Sequence, residues 1–81
     1  MNTEAINIIK QEKKLRTGKL LIGSTGLTEI PEDLLEMPWL TELWMGYNQI
    51  TEIKNLDALK NLRLLAMAHN NIKEIKNLEG R

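Results

Sequence analysis

Leu40-Thr41-Glu42-Leu43-Trp44-Met45-Gly46-Tyr47-Asn48-Gln49-Ile50 is followed, 22 residues later, by Leu62-Arg63-Leu64-Leu65-Ala66-Met67-Ala68-His69-Asn70-Asn71-Ile72. Both segments read L-x-x-L-x-M-x-x-N-x-I. The recurrence continues past the motif, because Ile50-Thr51-Glu52-Ile53-Lys54-Asn55-Leu56 realigns with Ile72-Lys73-Glu74-Ile75-Lys76-Asn77-Leu78 at the same offset. Self-similarity at a period between 20 and 50 residues marks a unit that buries its apolar side only by stacking on its neighbours.

Alternation of Leu43 with Met45, and of Leu65 with Met67, has the period of two of a strand that sends one face inward. Each repeat therefore contributes one short parallel strand. After the strand the chain turns sharply inside the stack, where backbone N–H and C=O groups are cut off from water and need partners. Asn48 and Asn70 stand at that point, and an amide offers both donors and an acceptor. A weaker copy, Leu20-Leu21-Ile22-Gly23-Ser24-Thr25-Gly26-Leu27 followed by Ile30-Pro31, puts Thr25 where asparagine is expected, which predicts a looser first turn. Ile53, Leu56 and Leu59, and likewise Ile75 and Leu78, recur at intervals that a helical or 3₁₀ turn would bring inward.

The signature resembles that of the leucine-rich-repeat family, with Met45 and Met67 in place of its third leucine, over roughly residues 17 to 81. The tail is similar to the short-repeat subclass found in phosphatase regulators and dynein light chains. Gly26-Leu27-Thr28-Glu29-Ile30-Pro31 also resembles bacterial Roco-type proteins, in which such repeats precede a GTPase. The fold class expected is α/β: a leucine-rich-repeat solenoid with short parallel strands and an N-terminal capping helix. Its divisions are a capping helix over 1–16 and repeats over 17–39, 40–61 and 62–81, the last one incomplete.

The helix is expected from Thr3 to about Leu15, with Ala5, Ile8, Ile9 and Leu15 on one face, Ile6 also in the core, and Asn2 or Thr3 as N-cap. At the other end, the 22-residue realignment sets Glu79, Gly80 and Arg81 opposite Asp57, Ala58 and Leu59, so the third repeat stops short. Two accounts of that open edge stand: the chain is the N-terminal part of a longer array, or the edge pairs with another copy or a partner.

An 81-residue chain has room for one modest core, and the absence of cysteine removes disulfide and thiolate-zinc staples. Eleven Lys and Arg balance eleven Asp and Glu, so no long-range field favours nucleic acid or a membrane surface. The charge is blocked, however. Lys10, Lys13, Lys14, Arg16 and Lys19 gather near the start, whereas residues 20–53 hold acids and no Lys or Arg. The acidic block Glu29, Glu32, Asp33 and Glu36 could meet a basic end of a second copy. No apolar run approaches the roughly 20 residues of a membrane span, nor is there a signal-peptide core, so a soluble, cytoplasmic protein is expected.

Side chains that alternate with the buried ones form columns across the concave face: Lys19, Glu42, Leu64; Leu21, Trp44, Ala66; and Gly23, Gly46, Ala68. A solvated sheet face is ordinarily polar, and an apolar patch carrying an aromatic marks a contact surface. The partner-binding residues expected are Leu21, Glu42, Trp44, Leu64 and Ala66, with Trp44 as anchor and Tyr47 and His69 flanking it. The small third column leaves room for a partner's backbone. Trp44 leaning on its apolar neighbours as ordinary surface packing is the plainer alternative.

Nothing resembling a nucleophile–base pair, a carboxylate pair or a phosphate loop is found, since Gly23-Ser24-Thr25-Gly26 lacks the lysine of G-x-x-x-x-G-K-[ST]. His69 has too few neighbouring ligands for a metal. Trp39 is expected to pack under the outer segment or against the helix. The chain thus reads as a protein-interaction module rather than an enzyme, without cofactor or metal, with a protein partner and neither nucleic acid nor membrane. The alternatives are a self-assembling, edge-pairing homo-oligomer and a regulatory repeat segment of a multidomain GTPase.

Overall fold

Asn2 opens the first element by accepting the Ala5 N–H on its side-chain oxygen at 2.9 Å, the bond that distinguishes an N-cap. Helix α1 follows over Thr3–Leu15, with Glu4 in its first turn and Lys13 and Lys14 in its last, the charge order that the helix dipole favours. It stops at Arg16, which takes a left-handed conformation (φ 50°) and donates its N–H to the Glu12 carbonyl at 2.7 Å. The computed structural model describes residues 2–75, and the side chains of Glu74 and Ile75 are not part of that description. The expected inward placement of Ile75 and Leu78 and the incomplete end at Glu79–Arg81 therefore lie outside the described residues.

Gly18 (φ +93°) swings the chain from helix to sheet, and a Cβ there would stand 3.1 Å from the Thr41 hydroxyl. Strands β1 (Lys19–Leu21), β2 (Glu42–Trp44) and β4 (Leu64–Ala66) form a parallel sheet in that order, in the register Leu20↔Leu43↔Leu65. The two-residue strands β3 (Glu52–Ile53) and β5 (Glu74–Ile75) pair in parallel on the other side of each repeat. A helix and a three-stranded parallel sheet built from repeated units make this an α/β repeat fold.

Between the strands, Leu27, Ile30, Leu34, Met37, Leu40, Met45, Ile50, Leu56 and Leu59 close a single apolar core with Leu20, Ile22 and Leu43. In the first repeat a 3₁₀ turn over Glu32–Glu36 brings Leu34 inward, entered through Pro31, whose fixed φ and missing N–H suit a helical start. The second repeat departs from the helical or 3₁₀ turn expected through Ile53, Leu56 and Leu59. Its outer segment begins instead as strand β3, and a single turn, closed by the Leu59 N–H on the Leu56 carbonyl at 3.1 Å, comes only afterwards. The cause lies in the sequence match between neighbours, which lets Asn71 and Lys73 donate their N–H groups to Ile50 and Thr51 at 3.0 and 2.7 Å.

The helix face is rotated from the one expected. Ala5 and Ile9 are buried and Ile6 and Ile8 only half so, while Leu15 is 57% exposed. Counting i, i+4 and i+7 from Ala5 reaches Ile9 and Glu12, and it is Glu12 that is buried, at 5% exposure. Three acids of the block meet cations within the chain: Lys13 lies 2.7 Å from Asp33 and 3.5 Å from Glu36, and Lys54 lies 2.9 Å from Glu29.

Candidate functional site

Strand register decides which side chains share a surface. Lys19, Glu42 and Leu64 are lateral neighbours, as are Leu21, Trp44 and Ala66, and the intervening Leu20 and Leu43 are fully buried beneath them. Five of the expected contact residues, Leu21, Glu42, Trp44, Leu64 and Ala66, are thus set on one solvent-facing side of the sheet. Leu21 is 56% and Trp44 41% exposed, whereas Leu64 and Ala66 are half-buried.

Glu42 is the polar centre of this face. Its carboxylate accepts the Trp44 indole N–H at 3.2 Å and lies 4.0 Å from the Lys19 ammonium, so the ring of Trp44 is tethered to its own strand. Beyond Leu21 the surface runs on toward the helix as a shallow groove lined by Ile8, Gln11, Glu12, Leu15, Thr17 and Lys19. Exposed Leu15 and Leu21 make it largely apolar.

Tyr47 and His69 form a second cluster past the strand ends. Their rings stack with centroids 4.3 Å apart and planes 15° from parallel. Both residues are left-handed, with φ 56° and 61°, as is Ser24 at the matching place of the first repeat with φ 55°. The chain needs that backbone conformation to enter the turn, and the side chain is thrown outward. Among the described residues no group of three or more His, Cys, Asp or Glu could hold a metal ion, and no helix is long and apolar enough to cross a membrane.

The glycines of the third column serve the fold itself. A Cβ on Gly23 would meet the Gly46 carbonyl at 3.1 Å, and one on Gly46 the Ala68 carbonyl at 3.2 Å. The neighbouring repeat accounts for the small residues there, because Ser24 and Tyr47 donate their N–H groups to Gly46 and Ala68, each at 3.0 Å, and so hold those carbonyls beside the preceding glycines. Leu65 also differs from expectation: it shares the register of Leu20 and Leu43 but is 42% exposed, since β4 has a strand neighbour on one side alone among the described residues.

Asn48 and Asn70 point inward and are structural. The Asn48 side-chain oxygen accepts the N–H groups of Thr25 and Leu27, both at 3.0 Å, and its amide donates to the carbonyls of Ile22 and Met45 at 3.0 Å. Asn70 repeats this one turn on, accepting from Ile50 at 3.0 Å and donating to Met45 and Met67 at 3.0 and 2.9 Å. The first turn is not the looser one expected. Thr25 is buried, its hydroxyl donates to the Ile22 carbonyl at 2.8 Å, and its own carbonyl accepts from the Asn2 amide. Asparagines from the following repeat and from the helix cap supply what threonine lacks.

Three residues outside the expected site prove to organise the helix end. Glu12 accepts from the Thr17 hydroxyl, from the Gly18 N–H at 2.9 Å and from the Trp39 indole at 2.9 Å. Burial pushes its carboxyl up, but those donors together outweigh burial and hold it below the usual range. Arg16 lies over the Trp39 ring, 4.4 Å from its centroid. Trp39 therefore packs against the helix, one of the two places expected for it. The sequence signal for Glu12 is its i+7 spacing from Ala5, against which hydrophobicity alone favours Leu15.

Residues 38–80, just over half of the chain, match the leucine-rich repeats as two copies. The chain belongs to the leucine-rich-repeat family. Leucine-rich-repeat modules generally mediate protein–protein interaction and are typically non-enzymatic. A search of curated proteins finds no match to this leucine-rich-repeat chain.

Proposed function

We propose that the chain is a protein-interaction unit of a leucine-rich-repeat solenoid, binding its partner on the concave strand face through Leu21, Glu42, Trp44, Leu64 and Ala66. The observation that carries this reading is the lateral pairing of Leu21 with Trp44, two large apolar side chains left exposed where a merely solvated sheet would be polar. Trp44, tethered by Glu42, presents its ring with little rotamer freedom left to lose on binding. Tyr47 and His69 flank the face as a preformed aromatic pair.

Truncation of a tryptophan at an interface centre costs about 2 kcal/mol or more, roughly thirtyfold in affinity. Trp44→Ala is expected to weaken an identified protein partner by that factor, and a photo-crosslinking residue at position 44 to capture the same partner where one at Asp57 does not. Unchanged affinity in Trp44→Ala would remove the site from this face.

The half-exposed Leu65 favours a setting as the N-terminal part of a longer array, since one further strand in the same register would bury it. Edge pairing with a second copy is the alternative, and light scattering over a concentration series separates the two. The likeness of Gly26–Pro31 to Roco-type repeats makes a regulatory segment of a cytoplasmic multidomain GTPase a further setting for the same unit.

A further inference from the structure

A second surface lies at the starts of the strands. A groove there is lined by Trp39, Thr41, Lys60, Asn61, Leu62 and Arg63, with no acid among them. The ion pairs among the described residues engage Lys13, Lys19 and Lys54, and neither Lys60, Arg63 nor Arg16 takes part in any. Arg16 instead covers the Trp39 ring, and Trp39 is held from behind by Glu12. Asn61 is fixed by donating to the Pro38 carbonyl at 3.2 Å, and Thr41 by donating to the Gly18 carbonyl at 3.1 Å. Three exposed cations outside those ion pairs thus border a held aromatic ring.

The cations come from separate parts of the chain, Arg16 from the end of α1 and Lys60 and Arg63 from the approach to β4. Gly18, Thr41 and Arg63 stand in line just ahead of β1, β2 and β4, so at about 4.8 Å per strand the backbone at Arg63 lies roughly 10 Å from that at Gly18, the turn into which Arg16 leads. A single phosphate is held by donors that converge on one point, often backbone N–H groups in a nest. Cations spread along the row of strand starts instead suit carboxylates about three residues apart in an extended chain rising some 3.3 Å per residue. A nucleic-acid backbone carries a dense, continuous charge that needs many cations, and Lys13 and Lys19 are committed to Asp33, Glu36 and Glu42.

We propose that this groove binds an acidic, extended segment of a protein partner, its carboxylates meeting Arg16, Lys60 and Arg63 and an apolar side chain resting on Leu62 and Trp39. The site is separate from the concave face and does not depend on it. Arginine is suited to the role because its planar fork takes a carboxylate bidentately.

The test uses a short fluorescein-labelled peptide with glutamate at every third position and valine and threonine between. Fluorescence anisotropy is expected to show binding at low salt that weakens as salt rises. Lys60→Gln combined with Arg63→Gln, both exposed and outside the helix, is expected to weaken it about tenfold, while Lys10→Gln with Lys14→Gln leaves it unchanged. In a ¹⁵N spectrum the Trp39 indole N–H resonance is expected to shift as peptide is added. Absence of binding at low salt overturns the proposal. So do equal losses in the two double variants, or an oligouridine of the same charge that binds more tightly than the peptide.

Discussion

Glu12 receives the indole N–H of Trp39 at 2.9 Å from within a helix face that is otherwise alanine and isoleucine. The bond crosses from α1 to the segment leading into β2, so one carboxylate locks the helix to the repeats while also closing the Thr17–Gly18 turn. Glu12→Gln leaves at least one of three donors without an acceptor in a buried place and is expected to cost about 2 kcal/mol in urea unfolding.

The same carboxylate sets an acid limit. A group whose folded pKa lies below its unfolded value binds fewer protons in the native state. Its contribution is then present above the unfolded value of about 4.3 and is lost as pH falls through the folded value. Glu12 is lowered, so stability is expected to hold from neutrality to about pH 5 and to decline below it. Unfolding midpoints measured over a pH series check this, and the decline is expected to be shallower in Glu12→Gln than in the parent.

Asn48 and Asn70 occupy matching positions in unequal surroundings. Asn48 is buried and serves two N–H groups of the preceding turn, whereas Asn70 is half-buried and serves one. Asn48→Ala is expected to cost about 3 kcal/mol and Asn70→Ala about 1–2 kcal/mol, measured by urea unfolding.

The strand alternation predicts opposite outcomes for adjacent residues. Leu43→Ala is expected to cost about 3 kcal/mol, because Leu43 is fully buried under the sheet. Trp44→Ala is expected to change stability by less than about 1 kcal/mol, which separates its role in binding from any role in folding. Thermal unfolding of the two variants distinguishes them.

Ser24 is exposed and left-handed, a conformation that costs a residue bearing a Cβ about 1–2 kcal/mol. Ser24→Gly keeps the backbone N–H bond to Gly46 and is expected to raise stability by up to about 1 kcal/mol, read as an increase in Tm. Tyr47→Gly is expected to show no such gain, because it removes the stack on His69.

The repeats, the strand faces and the roles of Asn48 and Asn70 were legible because periodicity exposes them directly. A 22-residue offset fixes which residues become lateral neighbours, and alternation fixes which of those are buried. What escaped depended on contacts between repeats. Counting hydrophobicity placed Leu15 on the helix face, yet three donors from residues 17, 18 and 39 reward a carboxylate at Glu12. Composition likewise suggests room for a ligand as the reason for the glycine column, while the neighbouring carbonyls that require a residue without a Cβ become apparent only once the turns are stacked. Strand β3 was hidden because two residues have no period, and its existence depends on a partner strand 22 residues away.

The asparagine ladder also gives the chain a direction in time. Each amide reaches back, Asn48 into the turn at Thr25 and Asn70 into the one at Ile50, so in both of these turns backbone N–H groups are met by an acceptor synthesised later. On a ribosome, the segment around Thr25 and Leu27 must wait for position 48 to leave the exit tunnel before its amides are sheltered. Native order therefore arrives one repeat behind the growing end.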